Sequence, residues 1–151
     1  MSVKVIAEIG INHNGDMNLC KKLIDVAHMA GCDYVKFQKR TPALCVPEHQ
    51  KGVMRDTPWG RMTYLDYKYR VEFEKDEYDE IDRYCKEKGI KWFASVWDKP
   101  SVDFMKQYTD ITKIPSALIT DLDLCEYARK HNNKVIISTG MSTEQEIESC
   151  V

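Results

Sequence analysis

Lysines and hydroxyl residues recur at the ends of strand-like runs in this sequence. They are Lys36 with Gln38, then Ser95, then Lys113 with Ser116, then Ser138 with Thr139, and Glu8 precedes them all. Lysine supplies a compact positive charge, and serine or threonine hydroxyls donate to phosphate or carboxylate oxygens. Two lysines and several hydroxyls converging at one place make an anion site, where Glu8 orients a lysine or a hydroxylated substrate. A single lysine or glutamate at a strand end is ordinarily just solvated; what carries weight is recurrence at successive ends. Period-two alternation sets Tyr34, Lys36 and Gln38 on one face. His13 follows the first strand and has a side chain suited to metal or substrate, although a plain loop role is the simpler expectation. His28, His49 and His131 form no H-x-x-x-H pair, so metal ligation gains little support.

These residues need elements to position them. Residues 3–10 read as a strand, 11–16 as a loop and about 17–30 as a helix, with Leu19, Leu23, Val26, Ala27 and Ala30 at helical spacing and Gly31 closing it. Residues 33–38 read as a second strand. The stretch 39–75 is the least regular, holding Pro42, Pro47, Gly52, Pro58 and Gly60. A charged amphipathic helix follows over 76–88, ending at Gly89. A strand at 90–96 and a helix at about 100–108 come next, Pro100 suiting the first helical turn. A strand at 110–114, a helix at 122–131 and a strand at 134–139 complete the series. Ser142 or Thr143 then opens a last helix, with acidic residues in its first turn and no closing signal before Val151.

Strands alternating with helices imply a parallel sheet with right-handed crossovers. The first turn lacks the G-x-G-x-x-G of a dinucleotide-binding doubly wound sheet. A (β/α)8 TIM barrel needs about 250 residues, and five strands in 151 residues project to that size. The expected fold class is therefore α/β: residues 1–151 as the N-terminal portion of a TIM barrel truncated to about its first five strands. Active sites of such barrels lie at the C-terminal ends of the strands, where the lysines and hydroxyls fall.

Composition narrows the partners. Lys+Arg 22 against Asp+Glu 24 gives a net charge of −2 without a basic block, which argues against nucleic acid and anionic membrane. No run of 18 apolar residues offers a transmembrane helix, and no secretory h-region opens the chain. The six cysteines form no C-x-x-C pair and read as scattered buried thiols of a cytoplasmic protein. Residues 59–70 mix aromatics with positive charge and read as a partly ordered loop over the site. Trp92 and Trp97 flank the third strand and are expected to pack and to line the barrel mouth.

At these same residues the sequence resembles the N-acetylneuraminate (sialic acid) synthase family. The matches are Ala7-Glu8-Ile9-Gly10-Ile11-Asn12-His13-Asn14-Gly15, Ala30-Gly31-Cys32-Asp33-Tyr34-Val35-Lys36-Phe37-Gln38, Lys113-Ile114-Pro115-Ser116 and Ser138-Thr139-Gly140-Met141, in family order. The resemblance implies a synthase on a (β/α)8 barrel that condenses phosphoenolpyruvate with an N-acylated amino sugar such as N-acetylmannosamine and releases phosphate. It implies Lys36, Ser95, Lys113, Ser116 and Ser138 as phosphoenolpyruvate ligands, with Glu8, Lys36 and Lys113 catalytic and Glu8 and Gln38 near the sugar or metal. It further implies a divalent metal, Mn or Mg, in the full-length enzyme, polarising the sugar aldehyde. The family's two metal-binding histidines lie on later strands, so no metal is expected on this chain alone, and the 151 residues by themselves are expected to be inactive. Many members carry Gly-Glu where this sequence has Ala117-Leu118, and Leu118 cannot handle a proton. A homodimer is a further expectation. The rivals are a synthase for another nonulosonic acid and a non-catalytic half-barrel serving as an assembly module.

Overall fold

The computed structural model describes residues 3–151. In chain order the elements are β1 (Ile6–Gly10), α1 (Met17–Met29), β2 (Tyr34–Lys39), α2 (Pro42–Cys45), α3 (Glu48–Lys51), β3 (Met54–Thr57), β4 (Gly60–Thr63) and α4 (Tyr64–Val71). There follow α5 (Lys75–Lys88), β5 (Lys91–Val96), α6 (Lys99–Met105), β6 (Ile111–Ile114), α7 (Leu122–His131), β7 (Lys134–Ile137) and α8 (Glu144–Cys150). Five strands form one parallel sheet in the order β1-β2-β5-β6-β7, while β3 and β4 make a separate antiparallel hairpin. Strands that neighbour one another in chain order, joined by crossovers of one hand, leave the crossover helices α1, α5, α6 and α7 on one face.

The side chains obey that layering. Ile9, Val35, Phe37, Trp92, Ala94, Val96 and Ile114 point to the helices and share a core with Cys20 and Ile24 of α1, Tyr78 and Ile81 of α5, Val102 and Met105 of α6, and Leu124 and Ala128 of α7. The alternate residues Glu8, Lys36, Phe93, Ser95 and Lys113 therefore face the other way. The sheet is open: β1 and β7 are its edges, and no closed barrel exists among the described residues.

Local signals account for most boundaries. Asp16 caps α1 by accepting from the Asn18 and Leu19 N–H groups at 2.7 and 3.2 Å. Asp98 caps α6 through the Ser101 N–H at 2.7 Å, with Pro100 in its first turn. Thr143 and Glu146 form a capping box on α8.

Two expectations are corrected. Residues 59–70 are not a partly ordered loop: they hold β4 and most of α4, within a structured excursion that runs from α2 to α4. A tight Pro58–Trp59 turn joins the hairpin, where Thr57 Oγ1 accepts from the Trp59 N–H at 3.2 Å and donates to the Gly60 carbonyl at 2.6 Å. The basic residues there cover aromatic rings, Arg55 over Tyr64 at 4.0 Å and Arg70 over Trp59 at 4.8 Å. Trp92 does not line the mouth; it stacks on Tyr78 at 5.7 Å beneath α5, its indole N–H donating to Asp82.

Candidate functional site

Lys36 is the centre of the site. Being nearly buried, an ammonium there needs partners. It donates to Ser95 Oγ on the neighbouring β5 at 2.7 Å and forms an ion pair with Glu8 on β1. Glu8 keeps about half its side chain exposed, so the pair opens toward solvent rather than into the core. The β1–β2 register slips between Glu8 and Gly10, where the backbone turns left-handed with φ +58° at Gly10. A side chain at Gly10 would stand 3.0 Å from Glu8 Oε1 and 3.2 Å from Gln38 Nε2. Glycine thus leaves both functional side chains their room.

Lys113 on β6 lies in register with Ser95. Burial, and then the positive charge of Lys36, hold its ammonium below the usual lysine range, with Glu8 pulling the other way. Lys113 makes no ion pair among the described residues. Two lysines therefore share one carboxylate, and the site is short of negative charge.

The sequence-derived residues divide into two groups. Glu8, Lys36, Ser95 and Lys113 come together on the sheet face away from the helices. Ser116 and Ser138 sit just beyond the ends of β6 and β7: the Ser138 N–H continues the ladder to the Ile114 carbonyl at 3.1 Å, and a side chain at Gly140 would meet Ser116 Oγ at 3.6 Å. Their hydroxyls make no hydrogen bond to either lysine among the described residues. Thr139 is taken up in a turn, its carbonyl accepting from the Ser142 N–H at 3.2 Å. Leu118 packs against the helix-side core.

His13 is structural. It is buried, stacked on Phe73 at 3.9 Å, and its Nδ1 accepts from the Gly15 N–H at 3.1 Å. Burial pushes its pKa down to about 4, against a hydrogen bond with the Gly10 backbone that favours the proton. Gly15 is fixed by contact: a side chain there would reach within 2.3 Å of the Arg70 carbonyl.

A second charged group lies outside the residues that the sequence pattern singles out. Lys39, Arg40 and Glu72 are all buried. Lys39 Nζ lies 3.3 Å from Glu72 Oε1 and donates to the Phe73 carbonyl at 2.8 Å. The Arg40 backbone N–H donates to Glu72 Oε1 at 3.0 Å, its Nε lies 3.4 Å from Glu72 Oε2, and its guanidinium covers Trp97 at 4.8 Å. A guanidinium nitrogen of Arg40 also donates to Gln38 Oε1. Burial raises the Glu72 carboxyl, with Lys39 and the Arg40 backbone pulling it back. The one hint in the sequence is the pair Lys39-Arg40 directly after an apolar strand.

A metal finds no complete set of ligands here. Among the described residues no three His, Cys, Asp or Glu side chains converge, and Glu8 is engaged with Lys36.

Comparison with known proteins is consistent in sequence and shape. Residues 23–151 match the NeuB family. The chain is 38% identical to an N-acetylneuraminate-9-phosphate synthase of Drosophila melanogaster, over 99% of this chain and 41% of that protein. It is 35% identical to an N,N'-diacetyllegionaminic acid synthase of Campylobacter jejuni, over 97% of this chain and 45% of that protein. The fold superposes with a TM-score of 0.86 and 30% identity on the crystal structure of N-acetylneuraminic acid (sialic acid) synthetase from Leptospira borgpetersenii in complex with citrate, covering 99% of this chain and 49% of that one. The chain thus spans less than half the length of the curated relatives it matches.

Proposed function

The chain belongs to the NeuB family, and on that premise we propose that it carries the phosphoenolpyruvate-binding part of a nonulosonic acid synthase. The acceptor is an open-chain N-acylated amino sugar of the N-acetylmannosamine kind. C3 of the enol bonds to the sugar aldehyde carbon, water adds at C2, and the C2–O bond to phosphate breaks, leaving a 2-oxo acid and inorganic phosphate. The architecture is five strands of a (β/α)8 barrel, with the remaining strands contributed by residues beyond these 151.

The observation that carries this reading is the pair Lys36 and Lys113, sharing Glu8 and flanking Ser95. A substrate with a phosphate and a carboxylate needs two cations at one mouth. Lys36, fixed by Ser95 and Glu8, and Lys113, which forms no ion pair among the described residues, meet that need at low reorganisation cost. Ser116 and Ser138 donate to phosphate oxygens. Glu8 and Gln38 face the sugar. A divalent metal, Mn or Mg, would polarise the aldehyde; this chain's residues do not complete its site, and none of the roles above depends on it.

Calorimetric titration of phosphoenolpyruvate into the 151-residue chain tests the anion site directly. Binding is expected, weakened at least about 30-fold in Lys36→Met. A folded wild-type chain with no affinity for phosphoenolpyruvate would sink the reading. The acceptor is identified in full-length protein by product mass with a panel of amino sugars. The 151 residues alone are expected to release no phosphate, and release from phosphoenolpyruvate plus N-acetylmannosamine would overturn that point.

A second reading rests on the two open edges of the sheet. Unpaired strands are templates for pairing, and Ile6 on the β1 edge is exposed. An assembly module would therefore associate, as a homodimer or with another chain. A monomer by light scattering argues against it.

A further inference from the structure

We infer that Arg40 is a positioning residue: it fixes which end of the Gln38 amide faces the site, and so makes Gln38 a hydrogen-bond donor to the acceptor sugar. The inference rests on the function proposed above and extends it to a residue outside the substrate's reach.

A side-chain amide has two ends of opposite character, an oxygen that accepts and an NH2 that donates. Nothing in the shape of glutamine chooses between them; its neighbours do. A guanidinium offers only donors, and one of its nitrogens donates to Gln38 Oε1. The amide oxygen is therefore spoken for, and Nε2 must turn the other way.

Arg40 can impose that choice because it is itself held on several sides. It is buried, its backbone N–H is bound to Glu72, its Nε faces the same carboxylate, and its guanidinium plane lies over Trp97. Arginine is suited to this combination of stacking and directed donation; lysine presents a single point charge and cannot do both.

The consequence appears above Gly10. The point where a side chain at Gly10 would begin lies 3.0 Å from Glu8 Oε1 and 3.2 Å from Gln38 Nε2. Glu8 and Gln38 therefore flank one gap, the first with an acceptor and the second with a donor. Adjacent hydroxyls of an open-chain sugar each donate and accept, and they satisfy such a pair. A phosphate does not, since Glu8 repels it; the anion belongs on the Lys113 side.

The test is a double-mutant cycle between Arg40→Lys and Gln38→Ala in full-length protein, read by phosphate release with phosphoenolpyruvate and N-acetylmannosamine. Arg40→Lys is expected to raise the KM for the sugar about tenfold, with the KM for phosphoenolpyruvate changed less than about twofold. In the Gln38→Ala background the same substitution should leave the sugar KM where it was. An equal effect in both backgrounds, or an equal rise for both substrates, overturns the inference, because Arg40 then acts through the fold alone. Melting temperatures of the same four proteins provide a readout independent of turnover. The two single shifts should fail to add, and simple additivity again overturns the link between Arg40 and Gln38. If wild-type protein releases no phosphate with any amino sugar, the proposed reaction fails, and the melting cycle alone decides the positioning role.

Discussion

Two charged clusters stand at the C-terminal end of β2, three residues apart and on opposite faces of the sheet. Lys39, with Arg40, Glu72 and Glu74, is balanced: two buried cations face two carboxylates, Glu74 at the exposed rim and Glu72 buried and approached by both cations and a backbone N–H. Lys36, with Glu8, Ser95 and Lys113, is open: its carboxylate is half exposed, and the second lysine forms no ion pair of its own among the described residues. The first cluster joins the end of β2 to the segment after α4 and thereby holds the excursion of residues 42–71 against the sheet. The second has charge to spare. Buried charges that balance internally serve the fold, whereas buried charges left unbalanced are ready for a ligand.

Removing the carboxylate from each cluster tests that contrast most strongly. Glu72→Ala leaves Arg40 buried without a counter-ion and Lys39 with only the exposed Glu74, and is expected to cost about 3–5 kcal/mol of stability in urea unfolding. Glu8→Ala removes a half-exposed partner of Lys36, and the expected change is no more than about 1 kcal/mol. Equal losses would abolish the distinction.

Acid titration sharpens it next, because His13 stacks on Phe73, beside Glu72, and belongs to the closed side. Its pKa is lowered from 6.5 to about 4 by burial, so the unfolded chain binds the proton first as pH falls. The stability gained by keeping His13 neutral is complete above pH 6.5 and is lost as pH drops toward about 4. The loss is about 3 kcal/mol. His13→Gln keeps an acceptor for the Gly15 N–H but cannot titrate, and the wild type should lose more stability than this variant between pH 7 and 4. Parallel curves would show that His13 is not the group responsible.

The open side was readable in the sequence, and the closed side was not. Period-two alternation is enough to put Lys36 and Gln38 on one face, and the βα rhythm is enough to carry Ser95 and Lys113 to neighbouring strand ends. Those facts depend on local spacing. The burial of Arg40 depends instead on Glu72, 32 positions away, and no hydropathy pattern reports a charge neutralised from that distance. The hairpin of residues 54–63 looks irregular in the sequence for a related reason. Its strands are short and largely exposed, and cation–π contacts and one tight turn support it where an alternating apolar face is lacking. The loop position of His13 is plain from the sequence, but its stacking partner Phe73 lies 60 positions away and only the fold reveals it.

The smallest expected effect is the most discriminating. Lys113 is held below the usual lysine range first by burial and then by Lys36. The sign follows: because the folded state disfavours the charged lysine, the cation carries a stability penalty at neutral pH, relieved only as pH rises through its lowered pKa. Lys113→Met removes the charge while keeping most of the apolar stem, so the ligand-free chain should melt slightly higher, by roughly 1–3 °C. The same substitution should abolish the stabilisation that phosphoenolpyruvate gives the wild type, since a ligand raises the melting temperature only through the folded state it binds. A lysine kept for packing or solubility would show the reverse, a lower melting temperature with the ligand response intact. A side chain whose removal improves the fold and loses the ligand is there for the ligand.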